Sequence, residues 1–167
     1  MKILGVDPGL INTGFGIISF NGDKINVIDF GIISPNKKSS LSLRLNTIYI
    51  DMASLILQYK PDCLSIEEVF YSTNIKTTMK LGQARGAVLI AAAQSKLQVY
   101  EYSARKIKLS LTGNGNSTKD QVKFMVENRL KVNIKDLFII STRLYIKHEL
   151  LIVISHHPHQ RFRKSKE

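Results

Sequence analysis

The sequence predicts one α/β domain: a five-stranded mixed sheet that opens as an antiparallel meander, continues with parallel strands, and is flanked by helices. Three observations predict it. The N-terminal part holds three β-rich segments separated by turns. After them, helical and strand patterning alternate, which is the plan of a sheet covered by helices. A chain of 167 residues suits one compact core, with no repeat and no long linker to divide it. We take residues 1–160 as that domain and 161–167 as a basic tail that frays.

Each element has a local reason. Ile3 to Val6 is short and apolar, and Asp7-Pro8-Gly9 stops it, so it reads as a strand entering a turn. Thr13 to Phe20 and Lys24 to Ile33 are β-rich, and Asn21-Gly22-Asp23 between them is a strong hairpin signal. Leu41, Leu45, Ile48, Met52 and Leu55 recur at helical spacing behind Ser39 and Ser40 as candidate caps. Lys60-Pro61-Asp62 breaks that helix. Cys63 to Val69 reads as a buried strand, Asn74 to Lys96 as a long helix and Gln98 to Tyr102 as a last strand. Ser117 and Asp120 fit a capping box opening a helix through Lys131.

Composition narrows the function classes. Lys and Arg number 24 against 13 Asp and Glu, a formal net charge of +11. The pI is near 9.8, and such an excess favours polyanions, nucleic acid before anionic membrane. The single cysteine, Cys63, excludes an intramolecular disulfide framework and lies in an apolar run, so we expect a small core residue in a reducing compartment. No apolar run approaches the roughly 18 residues of a membrane span. The N-terminus lacks the basic lead of a secretory signal, so the expected location is the cytoplasm.

The chemistry starts with two carboxylates. Asp7 ends the first strand, and Glu67 lies at the end of the strand beginning near Cys63. If those strands are neighbours, both acids emerge at one sheet edge and can share a hard cation. Magnesium takes oxygen ligands, commonly one or two carboxylates plus waters and substrate phosphates. Glu67 follows an apolar run, and a buried carboxylate without a cation is costly.

Around these acids the sequence resembles a known family. Val6-Asp7-Pro8-Gly9 with Thr13-Gly14-Phe15-Gly16 is similar to the opening of RuvC resolvases. So are Ile66-Glu67-Glu68-Val69-Phe70, Asn74, the block Lys80-Leu81-Gly82-Gln83-Ala84-Arg85-Gly86, and Glu101-Tyr102-Ser103-Ala104-Arg105 with Lys108 and Lys119. The matches are ordered and ungapped over about residues 1 to 131. The resemblance implies a ribonuclease H-like fold and a homodimer that binds a four-way DNA junction and nicks two strands symmetrically. It implies Mg2+ as cofactor, with Mn2+ as a substitute, and a branch-migration helicase complex as partner.

Carried over by position, Asp7 and Glu67 fall on the family's first two metal-binding catalytic acids. Phe70 falls on an aromatic set against bases at the junction centre, where an apolar wedge can stabilise unstacked bases; a core Phe is the alternative. Lys108 and Lys119 fall on basic residues near the scissile phosphate or along bound DNA, and Lys80 and Arg85 join them as expected DNA contacts. Gly82 and Gly86 form a small-residue face suited to the dimer seam or to close packing on the sheet.

The family also carries two further acids, Asp-x-x-Asp before an apolar helix. Setting Leu150 to His156 on that helix puts Tyr145 and His148 at those sites. Some relatives have His at the first site, but the second is expected to be Asp. Neutral His ligates transition metals, acts as a base, and is a poor magnesium ligand. Asp136 lies too far upstream, and a step to Glu149 turns a helical side chain by about 100°. Three accounts follow: His148 or Glu149 completes an altered, manganese-preferring site; the protein binds junctions without cutting; or the segment reflects a gene defect. His156-His157-Pro158-His159 has no Cys partner and reads as a solvated helix end. Two other classes compete. Asp7-Pro8-Gly9 with Thr13-Gly14 also looks like the first phosphate loop of an actin-like ATP-binding domain, but the chain has no room for that fold's second lobe. A non-enzymatic DNA-packaging protein would bind linear duplex and junction equally.

Overall fold

The structure is a computed structural model and describes residues 1–21, 24–68 and 75–130. Its sheet has five strands, β1 (Lys2–Asp7), β2 (Thr13–Asn21), β3 (Lys24–Ile33), β4 (Cys63–Glu67) and β5 (Gln98–Tyr102), in the order β3-β2-β1-β4-β5. β1, β2 and β3 form the expected antiparallel meander, and β2 meets β3 with Asn21 opposite Lys24. β4 pairs parallel to β1, and β5 parallel to β4. β4 ends at Glu67, two residues before the expected boundary, and Val69 lies outside the described residues.

The helices are α1 (Leu41–Tyr59), α2 (Ile75–Gln94), α3 (Ala104–Thr112) and α4 (Lys119–Leu130). Of the two candidate caps, Ser40 is the one used: it accepts the Leu43 amide. Lys60 closes α1 in the left-handed conformation at φ 47°, and Pro61 cannot continue the helix. The α4 cap differs from expectation by one residue. The Thr118 hydroxyl accepts the Gln121 amide at 3.3 Å, and Gln121 Oε1 accepts the Thr118 amide at 2.9 Å. This is a reciprocal capping box. Ser117 is instead buried in the preceding turn, where its hydroxyl donates to the Asn114 carbonyl.

α3 was not expected. Ile107, Leu109 and Leu111 alternate with polar residues, which disguises the segment as a strand. The structure shows Ile107 and Leu111, one helical turn apart, buried, while Leu109 is 53% exposed. Ser103 caps the start through the Lys106 amide, and Gly113 ends the helix at φ 75°.

Side chains alternate across the sheet and make two cores. Leu4, Val6, Ile17, Leu64 and Ile66 pack on Ile48 and Met52 of α1 and Ala84, Val88 and Ala91 of α2. Ile3, Ile18, Phe20 and Cys63 pack on Ile107 and Leu111 of α3 and Val122 and Val126 of α4. Cys63 is the small core residue expected, 2% exposed. Each fully buried Leu, Ile or Met contributes roughly 1.5–3 kcal/mol by leaving water. α1 and α2 therefore form one outer layer, and α3 and α4 the other. No described helix is long and apolar enough to cross a membrane.

Candidate functional site

The register of the two central strands sets the site. β1 and β4 run parallel with Leu4 opposite Leu64 and Val6 opposite Ile66. Asp7 and Glu67 are the next residue on each strand, so both stand at the carboxyl edge. Strand residues alternate faces. Leu4, Val6, Leu64 and Ile66 face α1 and α2, so Asp7 and Glu67 leave on the α3–α4 face, side by side. Val6 and Ile66 are fully buried, while both acids are half-buried. Asp7 lies opposite Gly14 of β2, which has no side chain to crowd it. Ligands of open α/β sheets bind outside the carboxyl ends of the strands.

The loop after Asp7 is held from three sides. The Thr13 hydroxyl donates to the Gly9 carbonyl at 2.9 Å and lies 3.2 Å from the Gly9 amide, which donates to it. Arg44 of α1 donates through Nη2 to the Leu10 carbonyl at 2.6 Å. The Ser34 hydroxyl donates to Asn12 Oδ1 at 2.9 Å. Thr13 is fully buried. Sequence reasoning used Thr13 only as part of a motif and did not single out Arg44. The available signal was a lone cation among the apolar repeats of α1.

Glu67 is held through its backbone. Arg85 of α2 donates through Nη1 to the Glu67 carbonyl at 2.6 Å and forms an ion pair through Nη2 with Glu101 of β5. The Glu68 amide donates to the Tyr102 carbonyl at 2.9 Å. Sequence reasoning expected Arg85 to meet DNA. The structure gives its guanidinium these two protein partners on the face opposite the acids, because α2 covers that face.

The other expected residues distribute as follows. Lys80 is exposed on α2, five residues before Arg85, so at about 1.5 Å per residue it stands roughly 7 Å further out past the sheet edge. Lys108 is half-buried on α3, in the layer on the acids' side. Lys119 opens α4 in that same layer. Phe70, Tyr145 and His148 lie outside the described residues. A Cβ on Gly82 or Gly86 would meet nothing within 4 Å, so these glycines do not pack on the sheet. With Ile75, Met79 and Ile90 they form an open face of α2.

The donor chemistry of the site fits a magnesium ion. Two hard carboxylates at one edge leave room for the waters and phosphate oxygens that complete such a shell. Among the described residues no group of three or more His, Cys, Asp and Glu gathers.

Comparison with known proteins gives a consistent result. The family model described as "Crossover junction endodeoxyribonuclease RuvC" matches residues 3–141, a span that ends before Tyr145 and His148. The chain is 42% identical over 131 residues to the protein of that name from Caldicellulosiruptor saccharolyticus, covering 78% of this chain and 79% of the relative. It is 45% identical over 133 residues to the one from Herminiimonas arsenicoxydans, covering 80% and 73%. In structure it is similar to T. thermophilus RuvC in complex with a Holliday junction substrate, with TM-score 0.86 at 24% identity over 96% and 95% of the two chains. The yeast mitochondrial Holliday junction resolvase Ydc2 shares the fold at TM-score 0.64 and 14% identity, over 92% and 77%.

Proposed function

The chain belongs to the RuvC family of crossover junction endodeoxyribonucleases, and from that premise we propose that it binds four-way DNA junctions as a homodimer and nicks two strands symmetrically by metal-dependent hydrolysis. The observation that carries this reading is the pairing of Asp7 and Glu67 on one face at the carboxyl edge of a family fold. Asp7 and Glu67 are the residues that hold magnesium, or manganese in its place. When bound, the ion supplies an activated water and stabilisation of the leaving oxygen. The chain's own residues then bind and orient. Lys80, Lys108 and Lys119 take phosphates of the DNA, which fixes register without reading sequence. Phe70 wedges against bases at the junction centre. The net charge of +11 supports the polyanion and predicts affinity that falls steeply with salt.

The open face of α2, with Gly82 and Gly86 at its centre, supports the homodimer, since small residues allow close helix approach. A branch-migration helicase complex remains the partner class, acting in recombination and repair. Buried Cys63 supports a reducing cytoplasm.

A second reading has a specific observation behind it. The family match ends at residue 141, and Tyr145 and His148 stand where acids are expected. On that reading the protein binds junctions and does not cut them. Strand cleavage of a synthetic four-way junction in magnesium and in manganese, with binding read on the same gel, separates the two. Symmetric nicks support the resolvase and make His148 and Glu149 the next residues to substitute. Tight junction binding without nicks in either ion supports the second reading. Equal affinity for junction and linear duplex overturns both.

A further inference from the structure

The peptide unit that follows Glu67 has both its polar groups fastened. Its carbonyl accepts from Arg85 Nη1 at 2.6 Å, and its amide, on Glu68, donates to the Tyr102 carbonyl at 2.9 Å. Orientation of that peptide sets the backbone from which the Glu67 side chain departs. The second arm of the same guanidinium pairs with Glu101. Ile66 lies opposite Glu101 and Glu67 opposite Tyr102 in the parallel ladder. One planar fork therefore ties the ends of β4 and β5 together from the α2 side, at the level where Glu67 leaves from the other side.

We propose that Arg85 is a positioning residue for the metal-binding acids, with Glu101 as its counter-ion. This rests on the reading of Asp7 and Glu67 as the metal pair. Arg85 is suited to the role because its own anchor is fixed: Ala84, Ala87 and Val88 around it are buried between α2 and the sheet. Its side chain is 11% exposed, whereas that of Glu101 is 50% exposed. A cation so enclosed is poorly placed to reach a phosphate on the opposite face. A lysine cannot replace it, because one ammonium lacks the fork geometry that spans a carbonyl and a carboxylate. Partners bonded directly to a ligating side chain commonly alter metal affinity by about 10–100-fold when lost, and Arg85, which holds the Glu67 peptide rather than its carboxylate, should have a smaller effect of the same sign. Glu101 has a second task. Without it, a full positive charge stands behind Glu67 and opposes cation binding at the front.

The test measures metal and DNA separately. Mn2+ uptake by the DNA-free protein is followed by loss of the free-ion EPR signal, for the unchanged protein, Arg85→Lys, Arg85→Gln and Glu101→Gln. Junction affinity is measured in Ca2+. The expected result is Mn2+ affinity lower by about threefold or more in all three variants, less than the loss of a direct ligand partner would give. Junction affinity stays within about twofold, and any cleavage recovers as Mn2+ is raised. Normal Mn2+ affinity with weakened junction binding overturns the proposal and returns Arg85 to the DNA surface. Normal values for both, with only a lower melting temperature, overturn it in favour of a plain structural ion pair. If Arg85→Gln fails to fold, Glu101→Gln decides on the same readout. An unchanged protein that takes up no Mn2+ either alone or with junction DNA bound overturns the metal reading itself, and this proposal with it.

Discussion

A Cβ built on Gly9 would lie 2.2 Å from the carbonyl oxygen of Asn12. The loop after Asp7 closes so tightly that its backbone occupies the space of a side chain, and Thr13 locks the closure from within through two hydrogen bonds to Gly9. Gly9→Ala must push the Asn12 peptide away and disturb the strand end that carries Asp7. The expected outcome is a loss of more than about 1 kcal/mol of stability. For a domain of this size that is a melting temperature lower by roughly 2–4 °C per kcal/mol. Metal binding should weaken as well. Thermal unfolding with and without Mn2+ checks both, and an unchanged melting curve would show that the loop opens freely.

Asp7 and Glu67 follow the paired residues Val6 and Ile66 at the ends of two adjacent parallel strands. Asp7→Asn keeps the shape and removes one charge. It should abolish cutting and leave junction binding nearly intact. The unchanged protein should be stabilised by added Mg2+ or Mn2+, because an ion that binds only the folded state stabilises it by mass action. The variant should lose that response. A variant that unfolds instead would make Asp7 a structural acid.

The sequence made the sheet and the acid pair legible because both depend on local signals. Alternation and turns mark β1 to β3, and a strand end marks Glu67. What escaped depends on tertiary contacts. α3 was hidden because Ile107, Leu109 and Leu111 satisfy a strand pattern, and only burial distinguishes Leu109 from its neighbours. The α4 cap slipped by one residue because Ser117-x-x-Asp120 and Thr118-x-x-Gln121 overlap, and the Asn114 carbonyl claims Ser117. Arg85 lay within a recognisable motif, yet its partners come from β4 and β5, and no spacing within α2 announces them. The residues expected to complete the site, Phe70 and His148, fall outside the described residues.

Tyr59, the last residue of α1, donates its hydroxyl to the Asp29 carboxylate of β3. That hydrogen bond first, then burial and the Asp29 charge, raise the phenol pKa above its ordinary 10.0. A pKa raised by folding means that the folded state holds the proton more tightly than the unfolded chain. The contribution is therefore full below pH 10 and declines as pH rises through the folded-state value. Urea unfolding between pH 8 and pH 11.5 should show the unchanged protein losing stability more steeply than Tyr59→Phe above about pH 10. Parallel curves would mean that the bond to Asp29 does not persist in solution.

Gly82 and Gly86 lie on a strip of α2 where a side chain would enter open space. Ile75 at 73% exposure and Met79 at 60% flank it, apolar surface that water does not favour. In a two-fold dimer the same patch meets itself, so a substitution there occurs twice at the seam. Gly86→Glu would set two carboxylates against each other in a close helix contact. The monomer should tolerate it, because nothing lies within 4 Å and glycine is the poorer helix former by roughly 0.5–1 kcal/mol. Light scattering should then find a dimer for the unchanged protein and a monomer of undiminished melting temperature for Gly86→Glu. The functional consequence follows from symmetry: two nicks in one binding event need two sites held together. On a supercoiled plasmid bearing a cruciform, the paired protein should yield linear product and the variant only nicked circles. A variant that stays dimeric and still linearises the plasmid would put the seam on another face.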